Sequence, residues 1–448
     1  MSLRDRDLPS IAKRHGVNIL ECVPGNAEER LRLLCETLKK TDVPYPINPG
    51  VGARYLADAT AKKPFGVGNL ADETVDLGEY HNYQNYDGYS AEEHLSWACL
   101  VADQQKTKTR YACREYLVGE QAFEIGGSTI PDYYQLNARI YQQTGWQLAT
   151  VNKIIPAELF FTCHSKRFFP VTTFMRELEL DYLEEPDIGH DIAGHVATFT
   201  IPAVAHVMQN HGIARDLIYA ERDEKLNGAR DESKAASIRE WADELLLYAG
   251  RIYWFTVEFG LVMQDGEVRD FGAGILSSPG ETVYSIDSIQ PNRILINPSN
   301  ENDLLRLATT DYLISEFQKT YFVMESFSLL ESLTPSSIVA AAKMAQRLPH
   351  FTWREIVPGD RVLNVGRVVT STNEKYFRLM AGLPLDECLT RAAIRNLRLA
   401  LQCPNAIKAC EHAFSVLPPE IPSAVVEWFR SSDASGQFQQ EILPLMIS

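Results

Sequence analysis

Three side chains in this sequence have the types and surroundings that metal chemistry needs: His190, His195 and Glu258. Both histidines fall within Glu184-Glu185-Pro186-Asp187-Ile188-Gly189-His190-Asp191-Ile192-Ala193-Gly194-His195. Their spacing is not that of helical zinc hydrolases, where a glutamate follows the first histidine and the second comes four residues on. On an ideal α-helix, residues five apart point about 140° away from each other. One metal then reaches both only if His190 lies at a bent or frayed helix start. The pair alone reads equally well as hydrogen-bonded helix histidines. Glu258 adds the third donor. It is the one carboxylate in the apolar, aromatic run Tyr253-Trp254-Phe255-Thr256-Val257-Glu258-Phe259-Gly260, where desolvation is costly unless a cation compensates it. Pairing with an arginine, or reaching the surface, would also serve, so this residue alone leaves the choice open. Taken together, two neutral imidazoles and a carboxylate are the donor set of non-haem Fe(II) oxygenases, which keep positions open for dioxygen. Cysteine thiolates would favour zinc or an iron–sulfur cluster, and none belongs to this set.

The elements that must position these groups are partly legible. Pro186 and the acidic residues around it mark a helix start just before His190. Ile238, Trp241, Leu245, Tyr248, Ile252 and Phe255 recur at spacings of three and four, which predicts a helix from about Ser237 to Phe259 carrying Glu258. Another helix is expected over Ala91 to Gln105. Before it, a helix is predicted around Ala27 to Lys40, then a loop through Pro44, Pro46, Pro49 and Gly50, and a Tyr- and Asn-rich run from Tyr80 to Tyr89. Beyond Pro335 the charge changes: Ser336 to Ser448 holds 12 Lys and Arg against 10 Asp and Glu, so the excess acid lies earlier. Helices are expected there at Ser336 to Gln346 and Leu385 to Leu401, with a hairpin over Glu355 to Ser371 around Pro358-Gly359-Asp360.

Composition narrows the class. The 448 residues are 45% apolar and 23% charged, an ordinary globular composition. A net charge of −16 argues against a general nucleic-acid partner, because phosphate contacts need Lys and Arg. No apolar run approaches a membrane span, and nothing near Met1 combines a basic start with an apolar stretch. Eight cysteines are scattered without a CxxC pair, which suits reduced thiols. A cytoplasmic protein is expected.

Beyond spacing, a set of longer stretches resembles the tetrahydrobiopterin-dependent aromatic amino acid hydroxylases, most closely their bacterial phenylalanine 4-hydroxylase branch. These are Tyr89-Ser-Ala-Glu-Glu-His94, Thr144-Gly-Trp-Gln-Leu148, Phe169-Pro-Val171, Asp181-Tyr-Leu-Glu-Glu-Pro-Asp187, Gly194-His-Val196 and Tyr253 to Gly260. Phe271 to Ser278, Gly280-Glu-Thr282, Tyr284, Glu316-Phe-Gln318 and Tyr321-Phe-Val323 continue the match in order. The resemblance implies a mainly α fold with small β elements (α+β), a catalytic domain over 86–334, an N-terminal extension over 1–85 and a C-terminal accessory region over 335–448. It also implies mono-oxygenation of an aromatic ring with dioxygen, Fe(II) and a tetrahydropterin. His190, His195 and Glu258 would hold the iron. Arg176, oriented by Asp187, would take the substrate carboxylate, since a planar guanidinium matches it bidentately. The substrate ring would lie among Phe169, Pro186, Trp254 and Phe259, near Gly274 and Ser277. The pterin would stack on Phe160, with backbone contacts from Ile154, Ile155 and Ala157, and with Asp191 and Tyr253 on its other side.

Four positions depart from the family. Lys153 stands where glycine is usual, just before the pterin-contacting backbone, and would strain that loop if a positive φ is needed there. Ala193, Ala197 and Pro279 replace bulkier or differently shaped residues, so an enlarged substrate pocket that prefers a substituted or larger ring is expected. A reading from another class is a non-catalytic scaffold on the same fold, with 336–448 as its interaction module. In that tail Arg391, Arg395 and Arg398 line one helical face, which reads first as solvated surface.

Overall fold

Ser90 and Glu93 cap each other's backbone N–H groups and start α1 (Ala91–Tyr111), which runs six residues past its expected end. The helices α2 (Arg114–Phe123) and α3 (Tyr133–Thr144) follow. Next come β1 (Gln147–Val151), α4 (Ala157–Ser165) and β2 (Phe168–Thr172), a crossover unit whose strands pair in parallel with Leu148 opposite Phe169. Two long helices, α5 (Pro202–Asn227) and α6 (Glu232–Tyr253), then pack on each other. Asp231 caps α6 by accepting from the Lys234 N–H, and Ile238, Leu245, Tyr248 and Ile252 form its buried face. The chain continues through β3 (Gly260–Gln264), β4 (Glu267–Asp270), α7 (Ala273–Leu276), α8 (Pro279–Asp287), β5 (Asn292–Ile296), α9 (Glu301–Thr309), β6 (Thr320–Met324), α10 (Pro335–Ala345) and β7 (Arg361–Asn364). Strand order in the larger sheet is β4-β3-β6-β5-β7; β3, β6 and β5 run parallel, while the outer two are antiparallel to their neighbours. Helices dominate and the sheets are small, as expected.

This computed structural model describes residues 65–366, apart from 69, 71–73, 177–185, 315–316, 349 and 358, together with Lys13, Gly16 and Val17. The helices expected at 27–40 and 385–401, the Arg391–Arg395–Arg398 row and Asp181 to Glu185 lie outside the described residues. Among the described residues, no helix is long and apolar enough to cross a membrane.

Packing crosses both expected domain boundaries. On the N-terminal side Phe65 lies edge-on to Tyr133 at 6.3 Å and Val67 pairs with Ala149, while Val75 and Leu77 are buried against Val151, Cys163 and Phe168. On the C-terminal side Ile338, Ala341, Ala342 and Ala345 of α10 belong to the main hydrophobic core. The strand expected inside a local hairpin, β7, instead pairs with β5 and forms an edge of the larger sheet. Arg306 and Asp360 form a buried ion pair at 3.1 Å, and the Tyr248 hydroxyl lies 2.7 Å from His350 Nε2. Packing thus continues past 334 to about residue 366, and we propose that the catalytic unit extends that far.

Truncation distinguishes the two limits. Ending the chain after Thr334 should yield insoluble or unfolded protein: Ile338 alone contributes about 1.5–3 kcal/mol of burial, against a total stability of about 5–15 kcal/mol. Ending it after Gly366 should leave melting temperature and iron binding close to those of the full chain. A soluble, iron-binding 1–334 fragment would contradict the revised limit.

Candidate metal centre

The geometry of the helix that carries the histidines answers the problem of their spacing. Asp187 caps a short turn, Ile188–His190, by accepting from the His190 N–H at 3.0 Å, and a π-turn follows over Asp191–His195. A π-turn closes i→i+5 rather than i→i+4, so residues five apart come onto one face. The imidazole rings lie with centroids 4.9 Å apart. Glu258 is presented the same way. After Tyr253 helix α6 passes into a second π-turn, Trp254–Glu258, closed by the Phe259 N–H donating to the Trp254 carbonyl at 2.9 Å. Neither a bent helix start nor fraying is needed.

One nitrogen from each imidazole and one Glu258 oxygen all lie within 4.8 Å of one another. Nε2 of His195 is 3.0 Å from Glu258 Oε1, and Nε2 of His190 is 3.6 Å from Oε2. Donors on one cation with bonds of about 2.1 Å are separated by such distances. The donor chemistry and geometry fit a divalent metal. Asp191 orients the outer nitrogen of His190, with Nδ1 3.2 Å from Oδ1, and is itself fixed by the N–H and hydroxyl of Thr172 at 2.7 and 2.8 Å. Burial alone would raise the Glu258 pKa, but its proximity to His195 and hydrogen bonds from both imidazoles hold it below the ordinary carboxylate range. Burial alone would lower His190, but its hydrogen bonds to Asp191 and Glu258 push it up to about 10.

Metal uptake should therefore displace a proton from His190. Below about pH 10, where that proton is held, iron affinity should rise by up to about tenfold per pH unit. Titration calorimetry in two buffers of different ionisation enthalpy should report about one proton released per metal. Release of none would contradict this electrostatic picture.

Beside the cluster, Arg176 and Asp187 form a buried bidentate pair, Nε to Oδ2 at 2.8 Å and Nη2 to Oδ1 at 2.7 Å. Asp187 thus ties the guanidinium to the turn that carries His190. The Arg176 charge outweighs the effect of burial and holds the Asp187 pKa below its usual value. Phe169 packs its ring 4.7 Å from that of His195. Trp254 lies 5.0 Å from Phe259 and stacks on Tyr312 at 4.1 Å with 19° between planes. Gly274 approaches the carboxylate so closely that a Cβ there would meet the Phe259 ring at 2.9 Å and Glu258 Oε2 at 3.2 Å. The Ser277 hydroxyl donates to the Gly274 carbonyl at 2.9 Å. Pro186 is half-buried at the head of the same turn.

The residues expected around a pterin are more scattered. Phe160 is partly exposed on α4, edge-on to Tyr253 at 5.6 Å and 6.4 Å from Phe169, so a line of rings runs from it to His195. Ile154 is exposed, Ile155 half-buried and Ala157 the exposed first residue of α4. Asp191, expected against the pterin, is engaged by His190 and Thr172. Lys153 does not have a positive φ, and its ammonium lies over the Tyr80 ring at 5.0 Å.

Nor does the structure show the expected pocket enlargement at Ala193 and Ala197. Both have no accessible surface, so neither walls a water-accessible cavity. The Ala193 carbonyl accepts from Lys108 and Tyr116, and the Ala197 carbonyl packs so tightly on Gly119 that a Cβ there would meet it at 2.2 Å. Pro279 is a buried first residue of α8.

Sequence comparison supplies the context. A family model described as biopterin-dependent aromatic amino acid hydroxylase matches residues 80–229 and 236–338, more than half of the chain. The chain belongs to this family. Among the relatives of this hydroxylase, phenylalanine-4-hydroxylase of Chromobacterium violaceum is 35% identical over 313 residues, 69% of this chain and 94% of that protein. The Ralstonia nicotianae phenylalanine-4-hydroxylase is 37% identical over 279 residues, 62% of this chain and 80% of the other. A crystal structure of the Chromobacterium violaceum enzyme with iron(III) and oxidised 7,8-dihydrobiopterin superposes with a TM-score of 0.54 at 34% identity, covering 65% of this hydroxylase and 95% of that chain.

Sequence reasoning about the hydroxylase overlooked Thr172, Tyr312 and Lys108. Thr172 and Tyr312 carry no local signal, because their roles arise from contacts with residues far along the chain. Lys108 did carry one: it continues the i, i+4 row Leu100, Gln104 on the buried face of α1.

Proposed function

We propose that this hydroxylase adds one oxygen atom to the ring of a free aromatic amino acid, phenylalanine in the first instance, with iron held by His190, His195 and Glu258. The observation that carries this reading is that two π-turns bring three donors together beside a buried arginine–carboxylate pair. Bound iron and a reduced tetrahydropterin supply the electrons and Lewis acidity that activate dioxygen. What the chain itself contributes is binding, orientation and exclusion of water. Arg176 receives the substrate carboxylate, and Asp187 fixes the plane of the guanidinium relative to His190. Phe169, Pro186, Trp254 and Phe259 enclose the ring; Tyr312 backs Trp254, so the wall is rigid. Gly274 leaves room beside Glu258 that any larger residue would fill, and Ser277 holds the backbone of that turn. A pterin would be held at Phe160 near Tyr253, with Ile154, Ile155 and Ala157 lending backbone groups, while Asp191 acts through His190. We assign the reaction to the cytoplasm, in keeping with the buried free thiols of Cys113 and Cys163.

With no enlargement at Ala193 and Ala197, a phenylalanine-sized ring is the preferred substrate. The test is kcat/KM of iron-loaded enzyme with a tetrahydropterin across phenylalanine, tyrosine, tryptophan and ring-substituted phenylalanines. Phenylalanine should rank first; a tenfold preference for a larger ring would overturn the substrate assignment without touching the metal site.

A further inference from the structure

Behind the turn that carries the imidazoles lies a buried cation. Lys108 of α1 has no accessible surface, and its ammonium donates to Glu120 Oε1 at 2.6 Å, the Ala193 carbonyl at 2.7 Å and Gln104 Oε1 at 3.2 Å. The Tyr116 hydroxyl of α2 donates to the same Ala193 carbonyl. Ala193 is inside the π-turn, between His190 and His195. Gln104 extends the network to the other side of the site, since its Nε2 donates to the Ser277 carbonyl at 2.9 Å. Those two backbone segments also touch directly: a Cβ on Gly194 would meet the Ala273 carbonyl at 2.7 Å and Ser277 Cβ at 3.1 Å. Glu120 is held in turn by Gln105 Nε2 at 3.0 Å.

A buried Lys–Glu pair is a poor way to gain stability, because apolar residues of the same volume usually serve as well or better. What apolar residues cannot do is hold a carbonyl at a fixed point. We propose that Lys108, supported by Glu120 and Tyr116, is a positioning residue for the metal site, anchoring the Ala193 carbonyl and thereby the relative placement of His190 and His195. A π-turn is a rare single-turn departure from the α-helix, found frequently at functional sites. Two side chains, Lys108 of α1 and Tyr116 of α2, anchor it at its midpoint, with Glu120 holding Lys108 from behind. Through Gln104 the same cation also ties the metal-bearing turn to the turn of Gly274 and Ser277, so the two sides of the pocket share one anchor.

The inference rests on reading His190, His195 and Glu258 as metal ligands, and the test separates the two. Full-length protein is loaded with Co(II), and its visible d–d spectrum and its affinity in competition with a chelator are measured for wild type, Lys108→Met/Glu120→Leu and Tyr116→Phe. Circular dichroism and melting temperature report folding. The double variant removes both buried charges together, so neither is left unpaired. If wild type binds no Co(II), the ligand reading itself fails. If it binds, the double variant should fold yet show a shifted d–d spectrum and metal affinity lower by about tenfold or more, the lower end of the range for lost outer partners. A folded double variant with the wild-type spectrum and affinity would mean that the pair only fills space, which overturns the proposal. Should the double variant not fold, Tyr116→Phe decides, because it keeps the ion pair and removes one donor to the same carbonyl. A shifted Co(II) spectrum then supports the anchor, and an unchanged one overturns it.

Discussion

Glu258→Ala and His195→Ala proteins are expected to fold and to lose iron, with affinity lower by more than about 100-fold. Loss of an outer hydrogen-bond partner typically costs a metal site about 10- to 100-fold, and removal of a direct ligand should exceed that. The folding part of this expectation has a structural basis. Glu258 is a buried carboxylate whose charge is balanced within the cluster by the two imidazoles, so its removal leaves no other carboxylate stranded. Its backbone stays in the π-turn, closed by the bond between Phe259 and Trp254. Metal analysis of purified proteins, with far-UV circular dichroism as the folding control, checks both halves. Full iron occupancy in both variants would show that the donors lie elsewhere.

Arg176→Met should lower kcat/KM for the amino acid by about 2–5 kcal/mol, roughly 30- to 5,000-fold, the range for truncating one partner of a buried charged pair. Two effects contribute. The substrate carboxylate loses its partner, and Asp187, with no accessible surface, is left as an uncompensated buried charge. An amino-acid ester separates them, because it carries no carboxylate to be recognised. If Arg176 acts as the clamp, the ester should already be a poor substrate for wild type and lose little more in the variant. If ester and acid fall equally, the arginine works through Asp187 and the turn it caps. Iron content of the variant is the companion measurement, since Asp187 also holds the His190 N–H.

Much of this site was legible in the sequence, but not its geometry. Residue types announced the donor set: a lone carboxylate in an aromatic run and two histidines behind a helix start. Helix α10 was placed within a residue at each end, because local signals (Pro335 at its first position, apolar residues at helical spacing) were sufficient. The spacing of His190 and His195 was misjudged for a physical reason. Ideal α-helical geometry was assumed, and a single extra residue per turn rotates the second imidazole onto the first. The role of β7 was illegible because pairing with β5 spans a long stretch of sequence, and no local pattern names a strand's partner. Lys108 escaped, although it continues the Leu100, Gln104 row, because it lies beyond the expected helix end at Gln105, where packing carries α1 on and buries it. Ala193 and Ala197 are fully buried for a related reason. A small residue implies a cavity only if its neighbours stay put, and here Lys108, Tyr116 and Gly119 close in on their backbones.

The most direct test of the account is oxygen tracing. Iron-loaded enzyme is incubated with phenylalanine and a tetrahydropterin under ¹⁸O₂ in ordinary water, and the product is analysed by mass spectrometry and NMR. The predicted result is a ring-hydroxylated amino acid carrying one ¹⁸O atom, formed only when iron and pterin are both present and absent with Glu258→Ala. Ring oxygen drawn from water, or no ring hydroxylation of any aromatic amino acid by iron-replete protein, would contradict it.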